Sequence, residues 1–269
     1  MKKFSLFLLP LLAVAMLTAC GDDDKPVNKQ IVTMVTNNRA IDGDAVVFSQ
    51  GSDKVELNYT DMTIQFTGDF NDADGNSRSL TTPNMNLTNV NDMVYRFNTN
   101  NTSSSTYTGI DNLTGYIDMS TGMIWYSFDD GSSRVVSSSQ LLYAYTTTTL
   151  TNPDNGNHSS HNQSAYLFAI DSKGETCTMK VSNFITNING SVQATEIQYN
   201  NLKVTPTTTG YIITAEEAES SYRGFYTITD LNITLDSQCL VMNGSFKSGD
   251  LDFTLSGNLF RGVGGSTPQ

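Results

Sequence analysis

Only two histidines occur in the 269 residues, His158 and His161, and their H-x-x-H spacing invites a metal held by two imidazoles. They fall in a polar stretch that would have to be ordered at an entropic cost, and Asp154 is the one further oxygen ligand close by. No metal centre is expected. Asp72, Asp74 and Asn76 bunch as calcium ligands do, yet the glycine stands at Gly75 and not at the sixth position that a calcium loop needs. A hairpin tip is the simpler reading. Glu216, Glu217 and Glu219 are the densest carboxylates, but glycosidic chemistry needs two carboxylates facing each other across a cleft, which neighbours on one short segment do not provide.

No nucleophile elbow, phosphate-binding loop or dinucleotide fingerprint occurs, and neither histidine has an evident Ser or Cys partner. The chain is therefore not expected to be an enzyme or to need a cofactor. Once Cys20 is set aside, Cys177 and Cys239 are the remaining cysteines. They are either buried free thiols or a bridge across the 62 positions from 177 to 239, worth about 4 kcal/mol in the chain-entropy picture. Trp125 is the single tryptophan. Ile124, Tyr126 and Phe128 alternate around it as an inward-facing set, so Trp125 points outward. An indole exposed there beside Tyr116 would stack on a sugar ring, which makes Trp125 and Tyr116 the candidate ligand-binding residues. Packed against a second domain, it would instead be buried.

Cys20 carries the clearest chemistry. Lys2-Lys3 precede an apolar run from Phe4 to Met16 that is too short to span a bilayer and reads as an export signal. Leu17-Thr18-Ala19-Cys20 then resembles the lipobox of bacterial lipoproteins, and Gly21-Asp22-Asp23-Asp24-Lys25 resembles the acidic export tag of Bacteroidota cell-surface lipoproteins. That resemblance covers residues 1–25. It implies a diacylglycerol on Cys20, palmitate-type acylation, and attachment to the outer membrane at the cell surface, with the periplasmic face as the alternative if the acidic run is only a solvated tether. Two or three acyl chains at about 0.8 kcal/mol per buried methylene would make the anchor permanent. The tether extends over residues 20–32.

Charge narrows the partners. Without Lys2 and Lys3 the chain keeps 13 of its 15 basic residues against 27 acidic ones, a net charge near −14. No basic cluster follows Lys3, so nucleic acid and anionic lipid surfaces are disfavoured.

The elements that would position these residues are strands. Charged residues make up only 16% of the chain, Thr, Ser and Asn abound, and apolar residues alternate over short runs. Turn signals fall at Asp53, Asp74-Gly75-Asn76, Thr121-Gly122, Asn189-Gly190 and Ser248-Gly249. Only Ala215 to Tyr222 looks helix-friendly. A shift of about 120 positions superimposes the halves: Val46 and Phe48 fall on Tyr166 and Phe168, Val55 and Leu57 on Cys177 and Met179, and Met93 and Tyr95 on Tyr211 and Ile213. Ile110 and Leu113 likewise fall on Ile228 and Leu231, and Gln140 to Tyr143 on Asn258 to Arg261. The fold expected is all-β: two tandem, internally duplicated antiparallel domains of about eight short strands each, as meander barrels or sandwiches, with one large sandwich as the alternative. The first domain spans 33–148, a linker 149–164, the second domain 165–262, and a tail 263–269.

The likeness to Bacteroidota lipoproteins with calycin-like or β-sandwich domains implies a non-catalytic binding module for a glycan or small molecule, serving other outer-membrane proteins. The alternative is a structural or adhesive protein similar to the fimbrillins, lipoproteins of two β-sandwich domains that polymerise by strand addition. Against it, Arg39 is the only candidate processing site near the start of the body, and Gly262-Val263-Gly264-Gly265 is a plain flexible end.

Overall fold

Alternation governs the body. In Thr176–Ile185 the residues Cys177, Met179 and Val181 are buried while Thr176, Thr178 and Lys180 between them are half-buried, as a strand with one face on a core requires. A computed structural model describes residues 28–99, 110–162, 164–189, 192–222, 225–238, 240–261 and 263. Cys20, the leader and most of the acidic tether lie outside the described residues, as do Cys239 and Gly190. Among the described residues there is no helix, and hence none long and apolar enough to cross a membrane.

The chain forms two β-domains, each a single antiparallel sheet. The first contains β1 (Lys29–Asp42), β2 (Ala45–Asn58), β3 (Thr63–Asn71), β4 (Ser77–Thr81), β5 (Met85–Asn86), β6 (Thr88–Asn91), β7 (Val94–Asn98), β8 (Asp111–Asp118), β9 (Met123–Asp129) and β10 (Arg134–Ser139). Its order is β4-β3-β2-β1-β10-β9-β8-β7-β6, with β5 paired to β3, so the last strand returns to the first. The sheet curls over its own core until Phe66 of β3 meets Phe97 of β7 and Tyr126 of β9, each at 5.1 Å between ring centroids. Gly115 of β8 permits that curl. A Cβ there would sit 2.4 Å from Phe97 and 2.5 Å from the Trp125 carbonyl.

The second domain contains β11 (Leu141–Thr151), β12 (His158–His161), β13 (Ala165–Ile170), β14 (Thr176–Ile185), β15 (Val192–Pro206), β16 (Gly210–Ala218), β17 (Ile228–Asp236), β18 (Val241–Ser248) and β19 (Leu251–Asn258). It runs as a meander from β11 through β13 to β19, and β19 pairs back onto β11 to close an eight-stranded barrel, which leaves β12 as a flap on β11. Phe246 and Phe253 stack at 4.5 Å within it.

One end of this barrel is plugged by the outer face of the first domain. Val94, Tyr116, Met123, Trp125 and Val136 join the barrel's apolar cluster, and Ile41 and Phe48 pack against it. Arg39 of β1 crosses the seam, fully buried, and donates to the Thr207 carbonyl at 2.6 Å, the Gly210 carbonyl at 3.1 Å and the Ser237 hydroxyl. Its guanidinium lies 4.8 Å above the Tyr211 ring.

Several expectations change. The junction lies at Gln140, between β10 and β11, and the segment 149–164 is not a linker: it carries the end of β11 and all of β12. The body starts at Lys29, inside the stretch read as tether. Asp53 is no turn but a buried residue in the middle of β2. Ala215 to Ala218 completes β16 and forms no helix, because pairing with β17 satisfies its backbone. The repeat keeps its register from β7 to β10 against β16 to β19, but not in the first strands. There Phe48 faces the other domain while Phe168 faces its own barrel, and β2 alone spans the positions matched to both β13 and β14.

Candidate functional site

The polar clusters noted in the sequence lie on strands and in turns. His158 and His161 both lie on β12, and an odd spacing along a strand sends their side chains to opposite faces, where they cannot share a metal. His161 instead sits 2.8 Å from the Ser159 hydroxyl and 3.3 Å from the Ile188 carbonyl. No group of three or more metal-ligating side chains occurs among the described residues. At the tip between β3 and β4, Asp72 spends its oxygens on the turn: it accepts from the backbone of Asn76 at 2.8 Å and Asp74 at 3.1 Å, and from Arg78 at 3.0 Å. The Asn76 N–H, foremost, holds its carboxyl below the usual carboxylate value. Glu216, Glu217 and Glu219 are separately exposed. Cys177 is a buried free thiol, pushed up to about 12 by burial.

Trp125 points out of the first domain, as the alternation around it requires, but the second domain covers it. It is 2% exposed and Tyr116 8%, and Tyr116 lies 5.9 Å from Phe260. Neither ring offers a free face to a sugar.

The structure instead opens a cavity of about 260 Å³ in the first domain. Its cause is a difference in strand length. β1 pairs with β2 along its whole course, but β10 covers only Thr36 to Ile41 before the chain leaves for the second barrel. The first half of β1 therefore borders a gap. Val32 and Met34 of β1 and Val55 and Leu57 of β2 form one wall. Ile117, Met119 and Met123 of the β8–β9 hairpin form the other, and Leu141 and Tyr143 of β11 close the side at the seam between domains. Methionines in such a wall adapt to varied shapes.

Polar groups sit at defined places around this apolar surface. Gln30 lines the mouth, its side-chain oxygen accepting from the Tyr59 hydroxyl, while its buried Nε2 has no partner among the described residues. Deeper along β2, on the inward face two residues beyond Val55, Asp53 accepts from the Tyr126 hydroxyl at 2.6 Å. Burial raises the Asp53 carboxyl to about 6 and, together with Asp53, raises the Tyr126 phenol well above its usual value.

A second, polar depression of about 630 Å³ lies on the outside of the barrel, where β11, β18 and β19 meet. Asn162, Asn243, Asn258 and Arg261 line it, and Arg261 stacks 4.5 Å above the Tyr145 ring.

Sequence reasoning missed the first cavity because it depends on where β10 stops relative to β1. The available signal was the apolar residues on both faces of β1, with Ile31 and Val35 outward and Val32 and Met34 inward. No protein-family model and no curated protein matches the chain.

Proposed function

We propose that the protein is a non-catalytic binding module, tethered to the outer membrane by a lipid on Cys20, that takes an apolar ligand into the cavity beside β1. One observation carries this reading: a preformed apolar cavity, open to the surface, with an unpaired buried donor at its mouth. The anchor rests on the basic start, the apolar run and the Leu17-Thr18-Ala19-Cys20 motif. The domains' shared return of last strand onto first, with the register kept over their second halves, supports an origin by duplication.

Thermal denaturation of residues 25–269 against a panel of apolar small molecules tests the binding reading. A ligand-dependent rise in the midpoint that Val32→Trp removes supports it, because the larger side chain fills the cavity from its half-exposed wall. No rise with any apolar compound sinks it. Incorporation of labelled palmitate that Cys20→Ala abolishes tests the anchor.

A glycan is the second reading, moved from Trp125 to the polar depression on the barrel. Asn162, Asn243 and Asn258 supply planar amides suited to vicinal hydroxyls, and Tyr145 with Arg261 supplies a flat edge. A glycan array that retains the chain, with retention lost in Asn243→Ala and kept in Val32→Trp, selects this reading over the first.

A further inference from the structure

We propose that the ligand of the cavity is an extended peptide that pairs with β1 as an added strand, in the position β10 vacates. The inference rests on the reading that this cavity is a ligand site.

The register makes the argument. Gln140 donates its backbone N–H to the Val35 carbonyl at 3.0 Å, so Val35 directs its backbone groups toward the side of β10. Groups alternate sides along a strand, so Thr33 and Ile31 direct their N–H and C=O to the same side. No described strand pairs there, because β10 ends at Ser139. Gln30 to Met34 thus present an open edge roughly 17 Å long at about 3.3 Å per residue.

The cavity lies on the inner side of that edge. A strand in the line of β10 would send every second side chain inward between Met34 and Ile117, and the others outward beside Ile31 and Val35, which are 51% and 41% exposed. A small apolar molecule would fill the cavity yet leave the donors and acceptors of Thr33 and Ile31 unmatched. Donors alternating with acceptors are the complement of a peptide backbone, and an acyl chain has neither. The volume agrees: about 260 Å³ is less than the ~300–1,000 Å³ of sites that enclose a whole drug-sized molecule, and suits side chains of a ligand lying mostly along the rim. A chain of net charge −12 favours a peptide that is neutral or cationic.

The test measures anisotropy of a fluorescein-labelled, capped heptapeptide of alternating valine and threonine with a lysine at each end, titrated with the full chain. Two further peptides carry N-methyl groups on one or the other alternating set of amides. The proposal expects saturable binding, weakened at least about tenfold by methylation of the set that faces β1 and changed less than about twofold by the other. Thr33→Pro, which removes an N–H directed away from β2, should weaken the parent peptide similarly. Equal effects of both methylated sets, or no peptide binding, overturn the proposal. So does dimerisation of the chain through this edge that excludes the peptide, which would make the occupant a second copy. Anilinonaphthalene sulfonate, titrated in parallel, separates the two levels. If the dye binds and the peptide does not, the cavity reading stands and the strand reading falls; if neither binds, both fall.

Discussion

Replacing Asp53 with asparagine should change how stability depends on pH, by an amount the structure sets. The carboxyl is buried inside the first domain and raised from 3.8 to about 6, chiefly by loss of solvation, with the Tyr126 hydroxyl opposing. A raised folded-state value means that the native state holds the proton to higher pH than the unfolded chain does. The stabilisation is therefore fully present below about 3.8 and is lost as pH rises through 6. Two pKa units at 1.36 kcal/mol each make the change about 3 kcal/mol. The amide of the Asp53→Asn variant does not titrate, so wild type should lose about 3 kcal/mol relative to that variant between pH 3 and pH 7. Urea unfolding of both proteins at unit pH steps measures this. Carboxylates shifted the other way, such as Asp72 and Asp171, are common to both proteins and cancel in the difference. A difference that is constant with pH, or in which wild type gains as pH rises, would refute the reasoning.

The seam and the packing yield further expectations. Arg39→Leu removes three charge-assisted bonds to the second barrel and should cost about 3 kcal/mol in urea unfolding; a loss below about 1 kcal/mol would mean that the seam does not depend on it. Gly115→Ala should cost about 1–3 kcal/mol, read as a lower melting midpoint, because its Cβ would press on the Phe97 ring and the Trp125 carbonyl. Trp125→Ala should destabilise by about 3–5 kcal/mol, and an unchanged midpoint would contradict its burial between the domains. Zinc should leave the melting midpoint unmoved, with His161→Ala behaving as wild type; a zinc-dependent rise would contradict the placement of the two histidines on opposite strand faces.

The strands were legible where apolar and polar residues alternate, as at Cys177, Met179 and Val181. The outward aim of Trp125 followed from its neighbours, and of the two readings that this left, exposure to a sugar or burial against a second domain, the structure shows the burial. The junction at Gln140 was hidden by composition. In β11 the residues facing the barrel include Thr146 and Thr148, both buried, so a run of threonines that reads as a polar linker is a core strand. Asp53 read as a turn for the same reason, a polar residue placed inside. The helix-friendly run from Ala215 lost to pairing with β17, where tertiary contacts override local propensity. The cavity was least legible, because it exists only where one strand outruns its neighbour.

The most direct test of the account is the binding of anilinonaphthalene sulfonate to the full chain and to its Val32→Trp variant under identical conditions. The account predicts saturable binding at a single site in the wild type and at least about tenfold weaker binding in the variant, with the melting midpoint preserved. Absence of saturable binding, or equal affinity in the two proteins, would contradict it.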